Sequence, residues 1–126
     1  DYQDVVAEVK SYFDDFSVKA DSFGIKDWIL DPGIGFAKTI EQNYELIRRL
    51  EELKSVRLSN GNSPRILVGL SRKSFIYKYL NISPEDSLPA TQVLHLAALQ
   101  NGADILRVHD VAEAVRTRAI YGLLDN

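Results

Sequence analysis

The chain has 126 residues, one ordinary domain's worth of length, and its 45% hydrophobic and 26% charged content is that of a folded segment, not a disordered one. A net charge of −3 disfavours a general nucleic-acid surface, so any anion site has to be local and built from a few placed groups. No apolar run approaches the ~20 residues of a membrane helix, no signal-peptide pattern occurs, and the absence of cysteine removes disulfides, thiolate metal sites and cysteine nucleophiles.

The spacing of Val5, Val6, Val9, Phe13 and Phe16 predicts an amphipathic helix over residues 2–21, stopped at Gly24. An apolar strand over 25–31, with Trp28-Ile29-Leu30 at its centre, runs into the turn Asp31-Pro32-Gly33. Thr39 with Gln42 matches a capping box, and Tyr44, Ile47 and Leu50 mark one face of a helix to about Lys54. Residues 59–64 are a loop by composition, and 65–70 are a second strand. The polar turn Ser71-Arg72-Lys73-Ser74 opens a short helix through Leu80, and Ser83-Pro84-Glu85 starts a further turn. Pro89 sits at the start of an Ala/Leu-rich helix over 90–101, with Gly102 just past its end. A third strand over 103–110 and a closing helix over about 111–124 complete the order α-β-α-β-α-β-α. Short, continuously apolar strands alternating with helices imply a parallel sheet, either doubly wound or part of a (β/α)8 barrel. A helix-first start, three strands and the absence of Met favour a segment of a barrel, a partial domain over 1–126 that lacks the N-terminal strands.

Ligands of parallel sheets bind at the carboxyl ends of the strands. In the third strand Ile105, Arg107 and His109 share one face, so guanidinium and imidazole project to one place as an oxyanion or phosphate clamp. The plainer alternative pairs Arg107 with Asp110 or with a neighbouring acid at the rim. In the second strand Gly69, Ser71 and Lys73 share parity. Gly69 removes bulk where something flat could approach, Lys73 can donate to a ligand oxygen, and Ser74 lies near a helix N-terminus that favours an anion. The alternative there is a Ser-capped helix with Arg72 and Lys73 merely solvated. In the first strand Asp31 closes the apolar run. The turn Asp31-Pro32-Gly33-Ile34-Gly35-Phe36 that follows is neither GxGxxG nor a P-loop. Its glycines permit close backbone approach, Phe36 can cover an aromatic ligand, and a strand-end carboxylate can bind the N–H/NH2 edge of a heterocycle. The alternative is an Asp that caps its own turn. His95, between Leu94 and Leu96, reads as a packed or surface helix residue, and two histidines without carboxylates at ligand spacing argue against a self-contained metal site. The three strand ends are expected to face a single small cavity.

Asp31-Pro32-Gly33-Ile34-Gly35-Phe36-Ala37-Lys38, Gly69-Leu70-Ser71-Arg72-Lys73-Ser74 and Arg107-Val108-His109-Asp110 together resemble, in order and spacing, the dihydropteroate synthase family. The resemblance runs over essentially the whole chain. It implies an α/β fold, the C-terminal part of a (β/α)8 barrel comprising its last three strands and the preceding helix. It also implies a transferase of folate biosynthesis. That activity joins p-aminobenzoate to 6-hydroxymethyl-7,8-dihydropterin pyrophosphate, giving 7,8-dihydropteroate and pyrophosphate, and is a target of sulfonamides. By the same resemblance Asp31 binds the pterin amino and ring N–H groups, and Lys73 lies over the pterin. Gly69 lies beside the pterin and Gly35 within the binding turn. Phe36 and Ser71 lie near p-aminobenzoate, Ser74 receives its carboxylate, and Arg107 and His109 hold the pyrophosphate. The catalytic set is then Lys73, Arg107 and His109. Magnesium assists departure of pyrophosphate, with its main protein ligand outside this segment and no metal ligand within it. The implied partners are the two substrates, with neither nucleic acid nor membrane, in a cytoplasmic protein that is a homodimer at full length.

Two positions depart from the family pattern: Ile34 stands where many members have Phe, and Ala37 where many have Gly. The family's asparagine loop, flexible substrate loops and further pterin-binding acids have no counterpart in these 126 residues. The segment by itself is therefore expected to be inactive and to expose unpaired strand edges. Other functions compatible with the residues are a pterin-dependent methyltransferase barrel, an aldolase using Lys73 as a Schiff base, and a non-catalytic pterin-binding piece.

Overall fold

The computed structural model describes residues 4–36 and 38–125. Helix α1 (Val5–Ser22) is capped by Asp4, whose Oδ1 accepts from the N–H groups of Val6 and Ala7 at 3.1 Å each. The expected start at Tyr2 lies outside the described residues. Helix α1 turns Val5, Val6 and Ala20 inward, and Phe13 stacks on Trp28 at 6.1 Å. Strand β1 is only Ile29–Leu30, not 25–31. Lys26 and Asp27 stay exposed, and a charged pair cannot enter a buried strand without desolvation.

Helix α2 (Ile40–Arg48) carries the expected capping box in full. Thr39 Oγ1 accepts from the Gln42 N–H at 3.1 Å, and Gln42 Oε1 accepts from the Thr39 N–H at 2.9 Å. It does not reach Lys54: the backbone leaves the α region at Arg49, and a 3-10 turn over Leu50–Ser55 follows. Leu50, Leu53 and Val56, all fully buried, recur every three residues, which matches the 3-10 period and not 3.6. Strand β2 (Arg65–Val68) leads through a turn into α3 (Ser74–Leu80). A 3-10 turn (Pro84–Ser87) then precedes α4 (Leu88–Gln100). Strand β3 is Ile105–Leu106, and α5 (Val111–Leu124) closes the chain. The ladder bonds of β3 extend only from the Asp104 N–H on Ile66 O to the Arg107 N–H on Val68 O, both 2.9 Å. Beyond Arg107 the backbone is free of the ladder, so the predicted 103–110 strand is shorter at both ends.

The strands pair in parallel in the order β1-β2-β3, with Leu30 against Ile66 and Val68 against Leu106. The helices pack along the chain, α1 on α2, α2 on both α3 and α4, and α4 on α5. Sequential strands under sequential helices are the pattern of a barrel wall, and the chain is a three-strand segment of that architecture. The buried face of the sheet (Leu30, Ile66, Val68) meets Leu46, Leu50 and Ile76 from the helices. Each such fully buried side chain contributes about 1.5–3 kcal/mol. Among the described residues β1 and β3 each pair on one side only, as expected of a segment with open edges. No helix among them is long and apolar enough to cross a membrane.

Candidate active site

Parallel pairing brings the carboxyl ends of all three strands to one side of the sheet. At the end of β1, Asp31 Oδ1 accepts from the Gly33 N–H at 2.9 Å, so this carboxylate does cap its own turn and keeps its second oxygen free of any described partner. The turn needs its glycines: Gly33 and Gly35 have φ of +72° and +90°. Two residues that sequence reasoning gave no role hold it. Buried Asn43 accepts from the Gly35 N–H through Oδ1 at 2.7 Å and donates from Nδ2 to Thr39 O at 3.0 Å. Lys38 Nζ donates to Gly33 O and Phe36 O at 2.9 and 3.0 Å. An Asn one helical turn past a cap is an ordinary sequence feature, so nothing marked it in advance.

Lys73 reaches across from the end of β2. Its Nζ donates to Ile34 O at 2.6 Å and lies 4.5 Å from the centre of the Phe36 ring. A Cβ on Gly35 would stand 2.6 Å from Lys73 Cδ, so this glycine is also the gap through which the lysine passes. Burial, then the nearby cations Arg107 and Lys38, hold the Lys73 amine below the usual lysine range, with Asp31 opposing them. Burial likewise lowers Lys38.

Gly69, Ser71, Lys73, Arg107 and His109 line one hollow of about 280 Å³. The flat group lying against Gly69 is the Arg107 guanidinium itself: a Cβ there would meet Nη2 at 2.8 Å and Nε at 3.0 Å. Arg107 has no carboxylate partner among the described residues, and the expected alternative pairing with Asp110 does not occur. Asp110 is taken by Arg72, through Nε–Oδ2 at 2.8 Å and Nη2–Oδ1 at 2.9 Å, which holds the Asp110 carboxyl below the usual carboxylate range. Ser71 Oγ accepts from the His109 backbone N–H at 3.2 Å. Ser74 is exposed as the first residue of α3 and caps nothing. The N-cap is Lys73, without a side-chain capping bond, so the Ser-capped alternative is not what forms.

The single-cavity expectation holds for five residues and fails for Asp31. Asp31 lines an adjacent hollow with Pro32, Gly33, Lys38 and side chains of α1, and Phe36 is largely exposed beside Lys73. The two hollows meet at the turn after β1, where Lys73 Nζ donates to Ile34 O and Lys38 Nζ to Gly33 O. Lys73, Arg107 and His109 line a hollow with no carboxylate among its lining residues, an anion site, and the adjacent hollow adds Lys38 together with the Asp31 and Glu8 carboxylates as acceptors for N–H groups. His95 is packed, as expected, but both its ring nitrogens are buried without a partner among the described residues, and burial lowers its pKa.

A model of the family described as pterin binding enzyme matches residues 1–109. The chain belongs to that family. It is 39% identical over 121 residues to the dihydropteroate synthase of Escherichia coli (strain K12), covering 94% of this chain and 41% of that protein. It superposes on the dihydropteroate synthase of Thermus thermophilus in complex with 6HMPPP with a TM-score of 0.86 and 36% identity, covering 100% of this chain and 48% of that one. For the same enzyme in complex with 4-aminobenzoate the TM-score is 0.85 at 37% identity, covering 98% and 46%. The chain thus spans less than half the length of these relatives. Among the described residues no three His, Asp or Glu side chains gather closely enough to hold a metal ion by themselves.

Proposed function

We propose that the chain is the part of a dihydropteroate synthase that binds the pterin and holds the departing pyrophosphate. The observation that carries this is the meeting of Lys73, Arg107 and His109 in one hollow beside Gly69 and Ser71, with the Asp31 carboxylate in the adjoining one. In the reaction the C–O bond between the pterin methylene and pyrophosphate breaks, and its electron pair leaves with pyrophosphate. The amine of p-aminobenzoate attacks the resulting cationic carbon and loses a proton. A good leaving group and a neutral amine need no general base, so the protein's contribution is electrostatic. Arg107 and His109 take up charge on the pyrophosphate oxygens. Lys73, whose amine burial has made less basic, regains a favourable environment when an anion arrives. The free oxygen of Asp31 accepts from the pterin N–H edge while its partner keeps the turn closed. Phe36, Ser71 and Ser74 then face p-aminobenzoate, the site at which sulfonamides would compete. The whole protein is in this reading a cytoplasmic homodimer, with the exposed Val115, Ile120 and Leu123 of α5 available for the contact.

The test is product formation from the two substrates by the full-length protein, followed by chromatography. Arg107→Ala and His109→Ala should each lower turnover and weaken binding of inorganic pyrophosphate by about 10-fold to 100-fold, the cost of one charged hydrogen bond. The isolated 126-residue segment should show no turnover. Full activity in the segment would refute the expectation that it is inactive alone, and unchanged pyrophosphate affinity in Arg107→Ala would refute this assignment.

A further inference from the structure

Arg72 is the cation of the strand-end turn that takes no part in the hollow, yet it is the most heavily tied. Among the described residues it is one of two non-glycine residues with positive φ, at +53°, a conformation that a side chain disfavours and that surrounding contacts have to hold. Three elements hold it. Its N–H donates to Oγ1 of buried Thr91 on α4 at 3.1 Å. Its Nη1 lies 3.3 Å from Glu85 O in the 3-10 turn. Its fork grips both oxygens of Asp110, the residue preceding α5, and the two side chains are only 26% and 22% exposed. Alongside this grip, Ser71 Oγ receives the His109 N–H. Residues 71 and 72 are therefore fastened to residues 109 and 110, side by side. The left-handed turn at Arg72 sends its own side chain outward to Asp110 while Ser71 and Lys73 line the hollow.

We propose that the Arg72–Asp110 pair is a clasp that sets the Lys73 strand end against the Arg107/His109 strand end, making Arg72 a positioning residue for the anion site. The inference rests on the functional reading above and deepens it. Neither strand end is held by the sheet at this point: the last ladder bond is that of Arg107 on Val68, and β2 ends at Val68. Without the clasp, the one hydrogen bond joining the two strand ends directly beyond the ladder, among the described residues, would be that of the His109 N–H on Ser71 Oγ. A planar two-pronged grip specifies direction as well as distance, which a lysine at the same position cannot do.

The experiment uses the full-length protein and its variants Arg72→Lys, Asp110→Asn and the double variant, with Arg65→Lys as control at the exposed Arg65–Asp27 pair. Turnover, binding of inorganic pyrophosphate by calorimetry, and thermal midpoint are measured together. Each single clasp variant should weaken pyrophosphate binding and lower kcat by about 10-fold to 100-fold, the loss expected from misplacing a reacting group by about 1 Å. The double variant should be no worse than either single one, and the control should match wild type. Arg107→Ala made in the Arg72→Lys background should cost less than in wild type, a coupling that a purely structural role for Arg72 would not produce. If Arg72→Lys does not fold, Asp110→Asn carries the same comparison, because it leaves every backbone bond of Arg72 in place. Single variants that keep pyrophosphate affinity within about twofold of wild type, or an Arg107→Ala cost that is the same in both backgrounds, would overturn the clasp. A wild-type protein that binds pyrophosphate but forms no dihydropteroate would overturn the functional reading alone, and the clasp would still be judged on pyrophosphate affinity.

Discussion

Replacing Gly69 by alanine separates the anion site from the stability of the fold. The new methyl group would stand 2.8 Å from Arg107 Nη2, 3.0 Å from Nε and 3.3 Å from Cζ. Ordinary van der Waals separation requires the guanidinium to retreat by about 0.6–1 Å. The retreat is cheap for folding, because the obstacle is the far end of a flexible side chain and Gly69 does not need a positive φ. Alanine also loses less backbone entropy on folding, so the stability change should lie within about 1 kcal/mol of zero. The cost falls on the ligand. A charged hydrogen bond that no longer reaches its anion is worth about 1.5–3 kcal/mol, or roughly 10-fold to 150-fold in affinity. Gly35→Ala is the contrast. There the methyl would meet Lys73 Cδ at 2.6 Å and the backbone sits at φ +90°, so both strain and clash apply and the fold should lose about 1–3 kcal/mol. The assay is calorimetric titration of inorganic pyrophosphate into each full-length variant, with urea unfolding alongside. Unchanged pyrophosphate affinity in Gly69→Ala, or a stability loss in it as large as that of Gly35→Ala, would show that the Gly69–Arg107 contact is not what aims the guanidinium.

Three further outcomes are expected. His95 is buried with neither ring nitrogen paired among the described residues, and its folded pKa lies below the unfolded value of about 6.5. Above that pH both states are neutral and stability is flat. As pH falls through it the unfolded state protonates first, and stability drops by up to about 1.4 kcal/mol per pH unit, eased by the nearby Asp110 charge. In His95→Leu, unfolding midpoints at pH 7.5 and 5.5 should lose that part of the wild-type difference. An equal acid loss in both proteins would count against it. Asn43→Ala should cost about 0.5–1.5 kcal/mol in urea unfolding by removing the bond that ties the Gly35 N–H to the buried Asn43 side chain, and should loosen the turn that carries Asp31. Thr39→Ala removes half of the capping box and should cost about 0.5–2 kcal/mol, with helix content read by circular dichroism.

Much of the site was legible because its parts are local in sequence. A strand's two-residue period placed Arg107 and His109 on one face, and side-chain parity put Gly69, Ser71 and Lys73 together. All five do line one hollow. The glycine turn and the capping box were equally local, needing only residue type and spacing. Element lengths were less legible. The three-residue spacing of Leu50, Leu53 and Val56 was open to view but was absorbed into a helix, because α and 3-10 patterns overlap over one or two turns.

The sequence by itself determined the order of elements, the class of sheet and the chemical character of each strand end, since these follow from periodicity, caps and residue type. Tertiary packing decided who partners whom. It gave Asp110 to Arg72 instead of Arg107, laid the Arg107 guanidinium on Gly69, set Lys73 across the turn after β1, and left Asp31 in a hollow of its own. These contacts join residues some forty positions apart, and a choice between two nearby carboxylates or two nearby cations rests on distances of an ångström or two that no local pattern encodes.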